Sequence, residues 1–244
     1  MKSFGLIGYP LKHSFSKSYF ENKFLNENIK GVKYFNLECQ DLEELFNSKQ
    51  LLKLDGFNVT KPHKENIIKY LDELSPEAQV IGAVNCVKNN GGKLVGHNTD
   101  YLGFLNSIKP ILKTHHKNAL ILGNGGASKA VVYALKKLNI TFKIVSRNSS
   151  FDYNDVDKKC IAKHHIIINC TPLGTFPKID NFPEIRYECL SKNHILYDLV
   201  YNPEITLFLS YGKEKNCIVK NGMEMLTIQA EKSWNIWKRK KYTY

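Results

Sequence analysis

The stretch from Asn118 to Ala130, NALILGNGGASKA, constrains this chain more than any other. Ala119 to Leu122 are four apolar residues that read as a short buried strand. They run straight into Gly123, Asn124, Gly125, Gly126 and Ala127, after which a helical pattern continues to Leu138. Strand, glycine turn and helix make the first half of a βαβ unit that binds dinucleotides. The glycines allow a tight turn and let backbone N–H groups approach a pyrophosphate, and the helix points its positive end at that anion. Gly123 and Gly125 fit the first two glycines of GxGxxG, but the third position is Ser128. The spacing alone therefore also fits an ordinary glycine-rich turn.

A second apolar strand, Phe142 to Val145, follows at the expected distance. In NAD-binding units that strand ends in an acid that takes the ribose 2′-hydroxyl. Here it ends in Ser146, Arg147 and Asn148, and the first acid is Asp152. A guanidinium fork suits a 2′-phosphate. The cofactor expected is NADP(H) rather than NAD, the other reading of Arg147 being a solvated loop cation.

The 244 residues allow one large domain or two small ones. The net charge of +12, from 35 Lys+Arg against 23 Asp+Glu, raises a nucleic-acid partner. The lysines are dispersed, and only Lys238 to Lys241 form a run. No nucleic-acid partner is expected, and the positive field suits an anionic cofactor and substrate. The six cysteines include no CxxC pair and the histidines no zinc spacing, so no metal is expected. No signal segment or membrane-length apolar run is visible, which predicts a cytoplasmic protein with free thiols and no membrane partner.

In order, Phe4–Ile7 reads as a strand, and Ser16 as a possible cap for a helix over 17–26. Ser14 and Ser16 either cap that helix or contact a ligand. Lys33–Leu37 reads as a strand, Asp41–Asn47 as a helix and 56–60 as a third strand. Pro62 suits the first turn of a helix running to 71–74, with Lys64 just inside it. Ser75-Pro76-Glu77 opens a short helix. Ile81–Val87 and Lys93–Val95 read as strands around the hairpin signal Asn89-Asn90-Gly91-Gly92. A helix follows over 101–108, and 110–117 reads as an interdomain link. After the glycine turn, strands are expected at 165–169, 195–200 and 217–219. A final helix from Met223 to about Lys240 carries Met225, Ile228, Trp234 and Trp237 on its apolar side, and is expected to pack on the first domain.

Several motifs in order carry a resemblance. They are Gly8-Tyr9-Pro10 with His13-Ser14-Phe15-Ser16; Asn58-Val59-Thr60-Lys61-Pro62-His63-Lys64; Ile81-Gly82-Ala83-Val84-Asn85; and Gly96-His97-Asn98-Thr99-Asp100 with Gly103-Phe104. The glycine turn, Asn169-Cys170-Thr171-Pro172, Asp198 to Pro203, and Asn221-Gly222-Met223 with Gln229-Ala230 complete the set. The chain resembles the shikimate dehydrogenase family along essentially its whole length.

That resemblance implies an α/β fold of two domains with the active site in the cleft between them. Residues 1–100 and 222–244 would form a mainly parallel substrate domain, and 101–221 a Rossmann-like NADP-binding domain. Lys64 and Asp100 would be the catalytic pair, where local sequence alone favours a surface ion pair. Ser14 and Ser16 would hold the substrate carboxylate. Thr60, Asn85 and Gln229 would join Lys64 and Asp100 around the ring hydroxyls, with Tyr201 nearby. Gly123, Asn124, Gly125, Gly126, Ala127, Ser146, Arg147 and Thr171 would hold the cofactor, and Gly222 would lie by the nicotinamide. The implied partner is a small molecule, shikimate or 3-dehydroshikimate, in a monomer or homodimer.

Departures from the family pattern are Lys17 for the usual Pro, Phe20 where His is common, Cys86 for Thr and Ser146 for Asn. A quinate/shikimate dehydrogenase using NAD and NADP is the alternative. Ser16, where quinate use goes with Thr, disfavours it.

Overall fold

A computed structural model of the chain describes residues 1–12, 14–147 and 149–238. His13 and Asn148 of the motifs above, and the end of the lysine run, lie outside the described residues. In chain order the elements begin β1 (Lys2–Gly8), α1 (Phe15–Asn26), β2 (Val32–Glu38), α2 (Leu42–Asn47), β3 (Gly56–Val59), β4 (Glu73–Leu74), α3 (Pro76–Ile81), β5 (Cys86–Asn90) and β6 (Lys93–His97). They continue as α4 (Asp100–Ile108), β7 (Asn118–Leu122), α5 (Gly126–Lys137), β8 (Thr141–Val145), α6 (Lys158–Lys163), β9 (Ile166–Asn169), β10 (Ile195–Asp198), α7 (Leu207–Glu214), β11 (Ile218–Lys220) and α8 (Met223–Lys238). The chain forms two compact units, Met1–Thr99 with Gln229–Tyr244, and Asp100–Ile228, so the division falls inside α8.

The first unit is a mixed sheet in the order β2-β1-β3-β5-β6-β4. β1 pairs in parallel with β2 and β3, and β4 with β6, whereas β5 runs antiparallel to both its neighbours. Side chains alternate across each strand. Ile7, Phe57 and Val59 face a core with α2, α3 and Ile67. Phe4 and Leu6 face the opposite core with Phe20 and Phe24 of α1 and Trp234 and Trp237 of α8. The same alternation turns Asn58 to the α1/α8 side, where a polar residue needs partners.

The second unit is an all-parallel sheet in the order β11-β10-β9-β7-β8. Its central strands are apolar runs because helices cover both faces. Ala119 and Ile121 face α4 and α5; Leu120 and Leu122 face α6 and α7. Sequence order reverses between β7 and β9, and ligands of such sheets bind outside the strand ends at that switch point.

Several local expectations are corrected. Pro62 does not open a helix: 61–65 are turns, and the next helical turn is a short 3-10 segment, Asn66–Tyr70. The Lys64 carbonyl is taken by the N–H of Val84 (2.7 Å), a tertiary partner outcompeting the helical one. Leu71–Leu74 does not close a helix, since Glu73–Leu74 is a strand paired with β6. Ile81 ends a helix rather than opening a strand, because Gly82 stops α3 in the left-handed conformation (φ +68°). Ser14, not Ser16, is the N-cap residue of α1, and its side chain makes no capping bond. Residues 110–117 belong wholly to the second unit and are not a link. Ser75 caps α3 as its sequence implies.

Candidate functional site

In the first unit, strands, α1 and α8 bring a set of polar side chains together in the interior. Asn85 donates through Nδ2 to Thr99 Oγ1 (2.9 Å) and Gln229 Oε1 (3.2 Å), while its Oδ1 accepts the Thr99 N–H (2.6 Å). Thr99 and Ser233 hydroxyls lie 3.1 Å apart, and Asn58 Nδ2 donates to Ser233 Oγ and to the Asn85 carbonyl, both at 3.0 Å. Tyr34 donates to Asn58 Oδ1 (3.0 Å). All these side chains are buried. A fully bonded buried network is rigid and specifies one arrangement.

The network joins two expected site residues, Asn85 and Gln229, and Ser16 is buried in the same unit. Asn58, Tyr34, Thr99 and Ser233, which tie them together, were not assigned roles from sequence. Ser14, Thr60 and Lys64 are half-buried. Thr60 follows β3, its N–H bonded to the Ile7 carbonyl (2.9 Å). Asp100 is buried as the first residue of α4, in the second unit, where a helix N-terminus favours a carboxylate.

In the second unit, β7 delivers Gly123 at φ +103°, which a side chain rarely adopts. A Cβ there would also sit 2.9 Å from Thr171 Cγ2. The Gly123 N–H bonds the Val145 carbonyl and the Cys170 N–H the Leu122 carbonyl, both at 2.8 Å, so the ends of β7, β8 and β9 converge. α5 then starts at Gly126 with no side-chain cap from Gly125, and a Cβ on Gly125 would meet nothing within 4 Å. An uncapped helix N-terminus with open space before it fits a cofactor pyrophosphate. Ser128 does what the third glycine would not: buried, it donates its hydroxyl to the Gly125 carbonyl (2.6 Å).

Ser146 and exposed Arg147 sit in the turn after β8. Burial raises the Tyr153 hydroxyl pKa, and the nearby Arg147 opposes that rise. Gly222 is buried where a Cβ would come 2.2 Å from the Leu199 carbonyl oxygen, so only glycine fits. Tyr201 is half-buried after β10.

Behind Thr171 stands a second polar chain. Thr171 donates through N–H (3.0 Å) and Oγ1 (2.6 Å) to Asn169 Oδ1, and Asn169 Nδ2 donates to Asp198 Oδ1 (3.0 Å). Asp198 also accepts from the Val200 N–H (2.9 Å) and Thr206 Oγ1 (2.6 Å). Burial pushes its carboxyl up to about 6, outweighing those bonds. Raised in the folded state, this group contributes stability below about pH 4 that is lost as pH rises through about 6. Burial lowers His116 and His194 instead, whose stability contribution is lost as pH falls below about 6.5. Each accepts a backbone N–H at Nδ1, from Lys113 (2.8 Å) and Ser191 (3.1 Å), which protonation would break. Comparing Asp198→Asn with the parent isolates the carboxylate from the histidines. Urea unfolding is expected to favour the variant at pH 7 relative to pH 4.5 by about 2 kcal/mol, because at pH 4.5 the unfolded carboxyl is already largely ionised. A pH-independent difference would contradict the assignment.

Among the described residues no group of three or more His, Cys, Asp or Glu side chains could hold a metal, and no helix is long and apolar enough to cross a membrane.

A parallel doubly wound unit with an open glycine turn, joined to an α/β unit holding a buried polar network, defines a dinucleotide-dependent enzyme class. The model of the shikimate dehydrogenase substrate binding domain matches residues 6–87. The shikimate dehydrogenase (NADP(+)) of Methanococcus aeolicus is 37% identical, over 97% of this chain and 91% of that one. The shikimate 5-dehydrogenase of Thermus thermophilus, solved with NADP(H) and shikimate, is 30% identical with a TM-score of 0.87 over 98% of this chain and 94% of that one. The quinate dehydrogenase of Corynebacterium glutamicum, solved with NAD, is 26% identical with a TM-score of 0.86, covering 97% of this chain and 93% of that one. The chain belongs to the shikimate dehydrogenase family.

Proposed function

We propose that this protein is an NADP-dependent shikimate dehydrogenase, reversibly reducing 3-dehydroshikimate to shikimate on the route to chorismate and the aromatic amino acids. The buried Asn85–Thr99–Gln229 cluster carries the reading, because it presents amide and hydroxyl groups in fixed orientation, as recognition of a polyhydroxylated ring requires. NADPH, when bound, supplies the hydride.

The chain's own residues do the rest. Ser14 and Ser16 hold the substrate carboxylate. Thr60, Asn85 and Gln229 bond the ring hydroxyls, with Tyr201 beside the substrate. Reduction of a ketone leaves an alkoxide that needs charge stabilisation and a proton. Lys64 provides both, and Asp100 orients it and bonds a neighbouring hydroxyl. Gly123 to Ala127 cradle the pyrophosphate with Thr171 beside them, and Gly222 lets the backbone approach the nicotinamide closely. Ser146 and Arg147 take the adenosine 2′-phosphate. The first unit is the substrate unit and the second the cofactor unit, divided before Asp100 and inside α8 where the sequence suggested 100/101 and 221/222. The enzyme works in the cytoplasm as a monomer or homodimer.

The absence of an acid directly after β8 disfavours the alternative quinate/shikimate enzyme that also uses NAD. Replacing Arg147 with alanine tests the cofactor side. The KM for NADP is expected to rise about tenfold, as one charged hydrogen-bonding group is lost, while the KM for NAD stays level. An equal rise for both cofactors would remove Arg147 from the 2′-phosphate.

A further inference from the structure

Asn169 ends β9, fully buried, where the strand ends of the second unit converge on the glycine turn. Its amide has only one way round. The Thr171 N–H, which can only donate, fixes the oxygen on one side (3.0 Å). Asp198 Oδ1 fixes the Nδ2 on the other (3.0 Å). Burial holds the Asp198 pKa at about 6, so at about pH 8 the carboxylate has no hydrogen to give. It meets donors on every side: the Val200 N–H at Oδ1 (2.9 Å) and the Thr206 hydroxyl at Oδ2 (2.6 Å). The consequence falls on Thr171. Asn169 Oδ1 carries no hydrogen, so Thr171 Oγ1 donates its only one to it (2.6 Å). One Thr171 lone pair takes the Leu173 N–H (3.2 Å). The other is left, on a half-buried side chain whose methyl lies against Gly123 of the glycine turn.

We propose that Asp198 is the positioning residue for Thr171, acting through Asn169 to make the Thr171 hydroxyl a hydrogen-bond acceptor only. Such a group takes a donor of the bound nucleotide, a ribose hydroxyl or an amine N–H, and turns away a phosphate oxygen. The work at the glycine turn is then divided. Backbone N–H groups at the start of α5 meet the negative pyrophosphate, and Thr171 meets a neutral, hydrogen-bearing part of the same molecule. Asn169 and Thr171 stand between Asp198 and the ligand, so the carboxylate sets the polarity of the contact without bringing its charge to a phosphate. A chain of bonds running from a charged group also strengthens each member. This inference rests on the assignment of Thr171 and the glycine turn to the cofactor.

The test is NADPH binding to the full chain at about pH 8, followed by nucleotide fluorescence with no substrate present. Thr171→Val keeps the shape and removes the lone pair, and is expected to raise the Kd about fivefold, while Thr171→Ser, which keeps the hydroxyl, recovers all but about twofold. Inorganic pyrophosphate, used as competitor, is expected to bind the parent and Thr171→Val alike. Asp198→Ala is expected to raise the NADPH Kd about fivefold in the parent and less than about twofold in a Thr171→Val background, while lowering the urea midpoint in both. Asp198→Asn keeps an oxygen towards Asn169 and is expected to hold the Kd within about twofold of the parent. An unchanged Kd in Thr171→Val, a parallel loss of pyrophosphate affinity, or an equal effect of Asp198→Ala in both backgrounds overturns the proposal. Should Asp198→Ala fail to fold, Asn169→Ala releases the Thr171 hydroxyl by the other route. It is expected to raise the Kd more in the parent than in Thr171→Val, and equal rises overturn the proposal. A parent that binds NADPH without oxidising shikimate would instead sink the substrate reading, and one that binds no NADPH the cofactor reading.

Discussion

Replacing Lys64 with alanine is expected to lower kcat for shikimate oxidation by about a thousandfold while moving KM only a few-fold. A proton donor at the reacting oxygen acts mainly in the transition state, and positioned acids and bases contribute typically 10²–10⁴-fold. The fold supports Lys64 for this part. Its carbonyl is anchored to Val84, between the end of β3 and the start of β5, so its backbone is fixed without a helix. The side chain is half-buried, shortly after the strand that carries Asn58 and the Thr60 that follows it. Lys64→Arg keeps the charge but gives up the transferable proton and is expected to recover little activity. Steady-state kinetics with saturating cofactor decides it: a kcat within tenfold of the parent in Lys64→Ala would end the assignment.

Replacing Trp237 with alanine is expected to lower stability by about 3–5 kcal/mol, the range for emptying a large buried aromatic site. Trp237 is buried in the last turns of α8 and stacked on Phe4 (4.7 Å, 19°), with Phe20 at 5.4 Å. Its Nε1 donates to the Val87 carbonyl (3.0 Å), which would lose that partner. Gly56 is shaped around it, since a Cβ there would fall 2.5 Å from the indole. Tyr19 and Lys23 of α1 also bond Glu231 of α8, so α1 and α8 are tied by charge as well as packing. The urea midpoint of Trp237→Ala, followed by circular dichroism, checks this. A loss under about 1 kcal/mol would mean that α8 is dispensable to the first unit. The exposed neighbour Lys238→Ala should leave the midpoint unchanged within about 0.5 kcal/mol.

What could be read from the chain itself follows from the range of the interactions involved. The strand, turn and helix at Asn118–Lys137 depend on adjacent residues, and β7 and β9 are buried on both faces, so their apolar runs stand out. Ser75 before Pro76 is equally local, and α3 begins there. Lys64 failed as a helical residue because the group that takes its carbonyl is Val84, twenty positions on and invisible to any local pattern. The Tyr34–Asn58–Ser233–Thr99 network was missed for the same reason, the Asn58–Ser233 bond spanning 175 positions. Asn58 did carry a signal, as a lone amide on the inward face of an otherwise apolar strand, which needs partners wherever it lies. Asp198 ends its apolar strand in the same way, and its partners Asn169 and Thr206 belong to other segments.

The most direct test of the central claim is optical: reduction of NADP and of NAD by the purified protein, each with shikimate and with quinate. Turnover of shikimate with NADP, and little or none in the other three combinations, is the expected result. Turnover of quinate with NAD at a comparable rate would contradict both the substrate and the cofactor assignments, and a folded protein inactive in all four would contradict the reaction itself.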